Sequence, residues 1–198
     1  MLSLTLKRHA REFLSALTNH KYEQADNGLY LPGSKLFISG KYTHTVNGKD
    51  EQVDRNLIPA AGVLHFLNVT LFTTTKTAAW YLAPYSGNAT PLSSWTAANY
   101  AANATENVSE TEGYSGTLRK LYVPATAVDG SITNAASRAN FDIVTAGTVS
   151  FYGAGLLSTS TRGDTSGILI SATRFASTRV LSDGDVWGLG YEVDAIST

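Results

Sequence analysis

Residues 148–158 read TVSFYGAGLLS, and whether they form a strand or a helix decides the fold. Val149, Phe151 and Tyr152 favour a pleated strand. Gly153 and Gly155 inside such a run mark a bulge or a place of tight packing rather than a phosphate loop, because no helix opens after them. Outward from this stretch the same texture repeats. AAWYLAPY (78–85), LRKLYVP (118–124), SRANFDIV (137–144), GILISATRF (167–175) and DVWGLGYEVDAI (185–196) are short runs rich in β-branched and aromatic residues. Gly, Asn, Asp and Pro separate them. Strands at this spacing predict a mainly β protein with an antiparallel β-sandwich or jelly-roll-like domain.

Upstream, KLFISGKYTHTV alternates as a strand and Asn47-Gly48 follows it. That dipeptide is a strong hairpin signal, with KDEQVDRNLI as the returning strand. Leu2, Leu6, Phe13, Leu14 and Leu17 recur near the helical period, so 2–17 reads as an amphipathic helix that Ser3 could cap. It would pack on its own domain or dock on a neighbour as an arm. Pro32-Gly33 marks a turn. Pro59 suits the first position of a helix over 59–72, whose Leu64, Leu67, Leu71 and Phe72 form an apolar face expected to be buried. WTAANYAANA (95–104) reads as a short helix anchored by Trp95 and Tyr100. A soft boundary near TTTKT divides the chain into 1–76 (helix, hairpin arm and linking helix) and 77–198 (the sandwich).

Composition narrows the function. Of the 198 residues only 16% are charged and 43% are hydrophobic, whereas an average soluble chain carries about 25% charged residues. The chain is globular, its polar surface is mostly Thr, Ser, Asn and Gly, and part of that surface is expected to be covered in an assembly. Net charge is −1, so no global basic field exists to hold nucleic acid. The cluster Lys7, Arg8, His9 and Arg11 reads as a solvated helix face. The absence of cysteine removes disulfides and thiolate metal sites. The first residues lack the order of a signal peptide, and no apolar stretch approaches the ~20 residues of a membrane span. A chain made and kept soluble inside a cell, without membrane contact, is expected.

Chemistry-bearing residues are sparse. His9, His20, His44 and His65 show no metal spacing and no neighbouring acid that would orient them. Glu106, Glu110 and Glu112 cluster, as do Asp183 and Asp185, but nothing sets a carboxylate pair across a cleft. SDGD (182–185) reads as a turn with Gly184 in the strained position, with weak calcium binding as a lesser reading. Asn68, Asn88, Asn103 and Asn107 lie in sequons that reflect an Asn/Thr-rich composition. Arg162-Gly163-Asp164 spells an adhesion tripeptide but reads first as a polar hairpin tip. No catalytic residue, metal site or cofactor is expected.

The order WYLAPYSGNATPLSSWTAANYAANATE, GYSGTLRKLYVPA, SITNAASRANFDI, TVSFYGAGLLSTSTRGDTSGILISATRFASTRVLSDGDVW and YEVD resembles a group of small structural proteins encoded in tailed bacteriophages. RNLIPAAGVLHFLNVTLF resembles that group's preceding helix, and the likeness spans roughly 55–195. It implies a virion component without enzymatic activity, made in the bacterial cytoplasm. The most concrete form is a capsid decoration or cement protein, jelly-roll-like, on the outer face of the head. Its partners would be the major capsid protein and itself, as a dimer or trimer. Leu2, Leu6, Phe13, Tyr81, Tyr85, Trp95 and Tyr100 are candidates for subunit contacts; Tyr81 and its neighbours could instead fill the sandwich core. Alternatives are a tail or head–tail adaptor, and a carbohydrate-binding module stacking sugars on Trp95 and Tyr100.

Overall fold

A computed structural model describes residues 23–25, 28–30 and 36–197. The expected helix over 2–17, with Leu2, Leu6 and Phe13, lies outside the described residues, as does the Pro32-Gly33 turn. The chain divides into two compact units, 1–37 with 196–198, and 38–195. The boundary therefore falls at 37/38 and not near 76: the hairpin and the helix after it belong to the larger unit. In the smaller unit β1 (Glu23–Ala25) pairs antiparallel with β2 (Gly28–Tyr30).

The larger unit is an antiparallel β-sandwich. One sheet has the order β11-β10-β5-β7, built from Leu169–Ser182, Thr148–Leu157, Trp80–Tyr85 and Lys120–Tyr122. The other runs β4-β3-β12-β9-β6, built from Lys49–Arg55, Leu36–Val46, Val186–Ser197, Ala139–Val144 and Gly113–Tyr114; β8 (Ser131–Thr133) also pairs with β12. The long strands fall within a few residues of where alternation and turn chemistry put them, except that β11 runs on to Ser182, seven residues past the expected end at 175. The strand order establishes the sandwich and stops short of a jelly roll.

Trp187 sits at the centre of the core. It stacks on Phe151 at 4.9 Å and 9° and meets Phe175 edge-on at 5.9 Å. Offset and edge contacts of this kind add to what area burial alone contributes.

The four-stranded sheet is covered on its second face too. Helix α2 (Ala97–Ala104) lies there, and Tyr85, Trp95, Tyr100, Leu157 and Leu169 form a second buried cluster with it. This explains why 153–157 is a continuous buried run instead of an alternating one. It also explains the glycines. A Cβ on Gly155 would meet the Tyr100 ring at 2.6 Å, and one on Gly153 the Tyr85 ring at 2.2 Å. A register shift between Phe151 and Gly153 adds a bulge at the same place.

The Asn47-Gly48 turn forms as expected, with φ of 51° and 71° at its two residues, the positive pair that a two-residue hairpin turn requires. The hairpin is not a free arm. Its inner side buries Tyr42 and His44 in the sandwich, and its turn is tied down: Asn47 Nδ2 donates to Asp185 Oδ1 (2.8 Å) and Val186 N–H donates to Asn47 Oδ1 (2.9 Å). Gly184, at φ 79°, takes the left-handed position in the facing SDGD turn.

Candidate assembly surface

Helix α1 (Ala60–Leu71) begins after Pro59, whose extended backbone caps it. The preceding residue pair hooks the segment to the sandwich: Leu57 N–H donates to the Ala172 carbonyl (2.8 Å) and Ala172 N–H donates back (3.0 Å). Gly62 then lies so close to β11 that a Cβ there would sit 2.6 Å from the Ile170 carbonyl oxygen. With 3.6 residues per turn, this anchor fixes the inward face as Gly62, His65, Phe66 and Val69. Leu64, Leu67 and Leu71 must then point the other way. The apolar face expected to be buried is the exposed one: Leu71 is 80% and Phe72 71% exposed, and Val63, Leu64 and Leu67 are each about half exposed. From Asn56 to Thr75 the chain has no Asp, Glu, Lys or Arg. A helix apolar on both faces is built for cover on both.

Beside this helix lies a cleft of about 340 Å³. Phe66 and Val69 of α1, Trp80 of β5, Tyr122 of β7, Ile132 of β8 and Val193 of β12 are among its lining residues. His65 closes one side, with Nε2 3.2 Å from Thr77 Oγ1 and its ring edge-on to Trp80. The half-exposed Leu121, on the short edge strand β7, and Val123, just after that strand, flank Tyr122. The Tyr122 hydroxyl is buried without a hydrogen-bond partner, and burial pushes it up to about 12. The cleft is thus apolar and aromatic, with Lys76 as its cation.

The aromatic residues expected at subunit contacts are placed differently. Tyr85, Trp95 and Tyr100 are inside the domain, 6.1–6.3 Å apart in a mutually edge-on trio. Tyr100 Oη donates to the Ala83 carbonyl, and Tyr85 Oη to the Thr173 carbonyl at 2.8 Å. These rings cannot reach a partner subunit, nor can Trp95 and Tyr100 stack on a sugar. The reason is the glycine pair in β10, which opens space for rings over the sheet. Tyr81 is partly buried on β5, opposite Leu121.

Two buried ionic networks were not evident in the sequence. Glu106 and Arg119 form a bidentate pair, Nε to Oε1 and Nη2 to Oε2, both at 2.7 Å. Burial opposes the guanidinium charge, but Glu106 outweighs it and the Arg119 pKa is raised. Arg119 Nη1 also donates to Thr159 Oγ1 (2.7 Å), and Gly163 N–H donates to Glu106 Oε2 (3.0 Å). Arg162 lies 3.4 Å over the Tyr114 ring and donates to the Ser109 and Tyr114 carbonyls. Arg162-Gly163-Asp164 is therefore a structural turn with its arginine buried.

The second network joins the hairpin to β11. His44 Nε2 is 2.8 Å from Asp54 Oδ2, and Arg179 Nε donates to His44 Nδ1 at 2.6 Å. Arg179 also pairs with Asp50 through Nη1 and donates to its carbonyl. Since Nδ1 accepts, the proton sits on Nε2 and the ring is neutral. Burial first, and then Arg179, lower the His44 pKa against the opposing pull of Asp54. Among the described residues no group of three or more His, Cys, Asp or Glu could hold a metal. Glu112 is engaged by Thr145 Oγ1 and Ala146 N–H, and Asp185 by Ser182 N–H. These carboxylates act as turn braces and do not face one another across the cleft.

Compared with known proteins, the chain matches no protein-family model, and no curated protein matches it in sequence.

Proposed function

We propose that the chain is a non-enzymatic virion structural protein, a decoration or cement protein on the outer face of a tailed-phage head that bridges major capsid subunits. One observation carries the reading: α1 presents an outer face free of Asp, Glu, Lys and Arg, on which Leu64, Leu67 and Leu71 are half or more exposed. Large contiguous apolar patches exposed on a monomer mark contact surfaces, and a rigid sandwich is a suitable body for a clamp. The sequence resemblance points the same way. The carbohydrate-binding alternative loses its support because Trp95 and Tyr100 are buried. Quantitative mass spectrometry of purified virions against the major capsid protein tests the proposal. A simple whole-number fraction of the capsid protein is expected. A copy number equal to one small ring would move the protein to the tail or portal, and its absence from virions would overturn the structural reading.

A further inference from the structure

The cleft beside the inward face of α1 runs from a charged rim into the core. Lys76, at the rim, is exposed. Leu156, Ile170 and Tyr191 line the same cleft, and each is 5% exposed or less. Its walls come from both sheets, Trp80 and Tyr122 from one and Tyr191 from the other, so the cleft enters the sandwich between its layers. Its volume of about 340 Å³ lies at the small end of the range for small-molecule sites, about 300–1,000 Å³, which are mostly apolar with a few placed polar groups. Two such groups are present. Among the described lining residues Lys76 alone carries a formal charge, and no Asp or Glu stands there to neutralise it; a cleft lined by one sign of charge draws the opposite sign. Tyr122, 7% exposed, keeps a hydroxyl with no hydrogen-bond partner, the one such group among those residues. Buried hydroxyls are normally paired, and an acceptor oxygen on a ligand would pair this one. An inorganic anion gains nothing from the apolar walls, and a plain hydrocarbon gains nothing from Lys76. A molecule with both parts uses both.

We infer that this cleft binds a small apolar carboxylate. The hydrocarbon part lies between the sheets against Leu156 and Ile170, and the carboxylate stays toward the rim, held by Lys76 and accepting a hydrogen bond from the Tyr122 hydroxyl. The size of the cleft selects a medium-length alkyl chain or a single ring over a two-tailed lipid. Burial of the hydrocarbon supplies affinity, and the two polar groups supply orientation and selectivity. The site belongs to the isolated chain and goes beyond the assembly reading of the outer face of α1.

Octanoate titrated into the isotope-labelled full chain, followed by NMR, tests the inference. Saturable binding is expected, with NOEs from the terminal methyl of octanoate to Leu156 and Ile170. Octanol and octylamine should bind about tenfold more weakly, because a hydrogen bond to a charged group is worth more than a neutral one. Lys76→Gln, at an exposed position, should abolish the preference for octanoate over octanol while leaving thermal unfolding unchanged. Tyr122→Phe keeps the ring and removes only the hydroxyl. It should weaken octanoate about tenfold and leave the unliganded protein as stable as before, since that hydroxyl has no partner to lose. No saturable binding at millimolar octanoate overturns the inference, whatever the copy number on virions. So does octanol binding as tightly as octanoate, an octanoate affinity unmoved by either substitution, or shift changes confined to Leu64, Leu67 and Leu71 on the outer face of α1.

Discussion

The two helices of the larger unit differ in how they use their apolar residues. Helix α2 is Ala-rich and carries one large ring, Tyr100, yet it buries Ala97, Tyr100 and Ala104 against β10. Helix α1 carries four Leu or Phe side chains, yet buries only Gly62 and His65. Close approach is made by small residues at the contact, and it determines which face is covered. Hydrophobicity alone does not. Once Gly62 sits on the Ile170 carbonyl, the leucines of α1 are committed to the outside, whereas Gly153 and Gly155 let the rings beside and on α2 sink onto the sheet.

The strongest way to break this contrast lies under α2. Tyr100→Ala should destabilise the fold by about 3–5 kcal/mol through the cavity and the lost hydroxyl bond, as read by urea unfolding. A change below 1 kcal/mol would mean that α2 is not the cover described. Glu106→Gln should cost about 3 kcal/mol, because it leaves the Arg119 guanidinium buried without its counter-charge. Loosening should spread to residues 159–164, and hydrogen exchange at Gly163 would register it. Gly155→Ala forces Tyr100 to shift and should cost about 1–3 kcal/mol. At the small end, Leu71→Ser should change the stability of the monomer by no more than about 0.5 kcal/mol. A larger loss would show that this face is needed within the chain itself.

A fifth test probes the His44 network by pH. The folded-state pKa of His44 is depressed below its ordinary 6.5, so the unfolded chain takes up a proton before the folded one does. The stability tied to a neutral His44 is present above about pH 6.5 and is lost progressively as pH falls below that value. His44→Gln should flatten this part of the stability curve measured by thermal unfolding between pH 7 and 5.

Much of the fold could be read from local chemistry. Asn47-Gly48 and Gly184 each sit at the positive φ that their turns require, and the α2 segment begins two residues after the expected start. What resisted reading was set by register and by side. An ideal two-residue hairpin would put His44 opposite Glu51 and turn Asp54 to the other face. The observed register pairs His44 with Gln52, because an extra residue bulges at Asp50, whose φ is 52°. That one-residue slip brings Asp54 onto the His44 side, and no sequence signal marked it. Glu106 and Arg119 meet across a connection whose path only the tertiary structure sets. The two short strands β6 and β8 lack the length for a periodic pattern.

The tied hairpin turn also bears on how the protein ages. Asn-Gly is the dipeptide most prone to lose its side-chain amide, because the glycine nitrogen can attack the Asn carbonyl carbon through an unhindered backbone. Here both ends of the Asn47 amide are held, one by Asp185 and one by the Val186 N–H. Conversion to aspartate would remove the donor and set a new carboxylate against Asp185. The intact turn therefore protects its own weakest bond, and the rate of deamidation at Asn47 becomes a clock for how often the hairpin lets go of the β11–β12 corner.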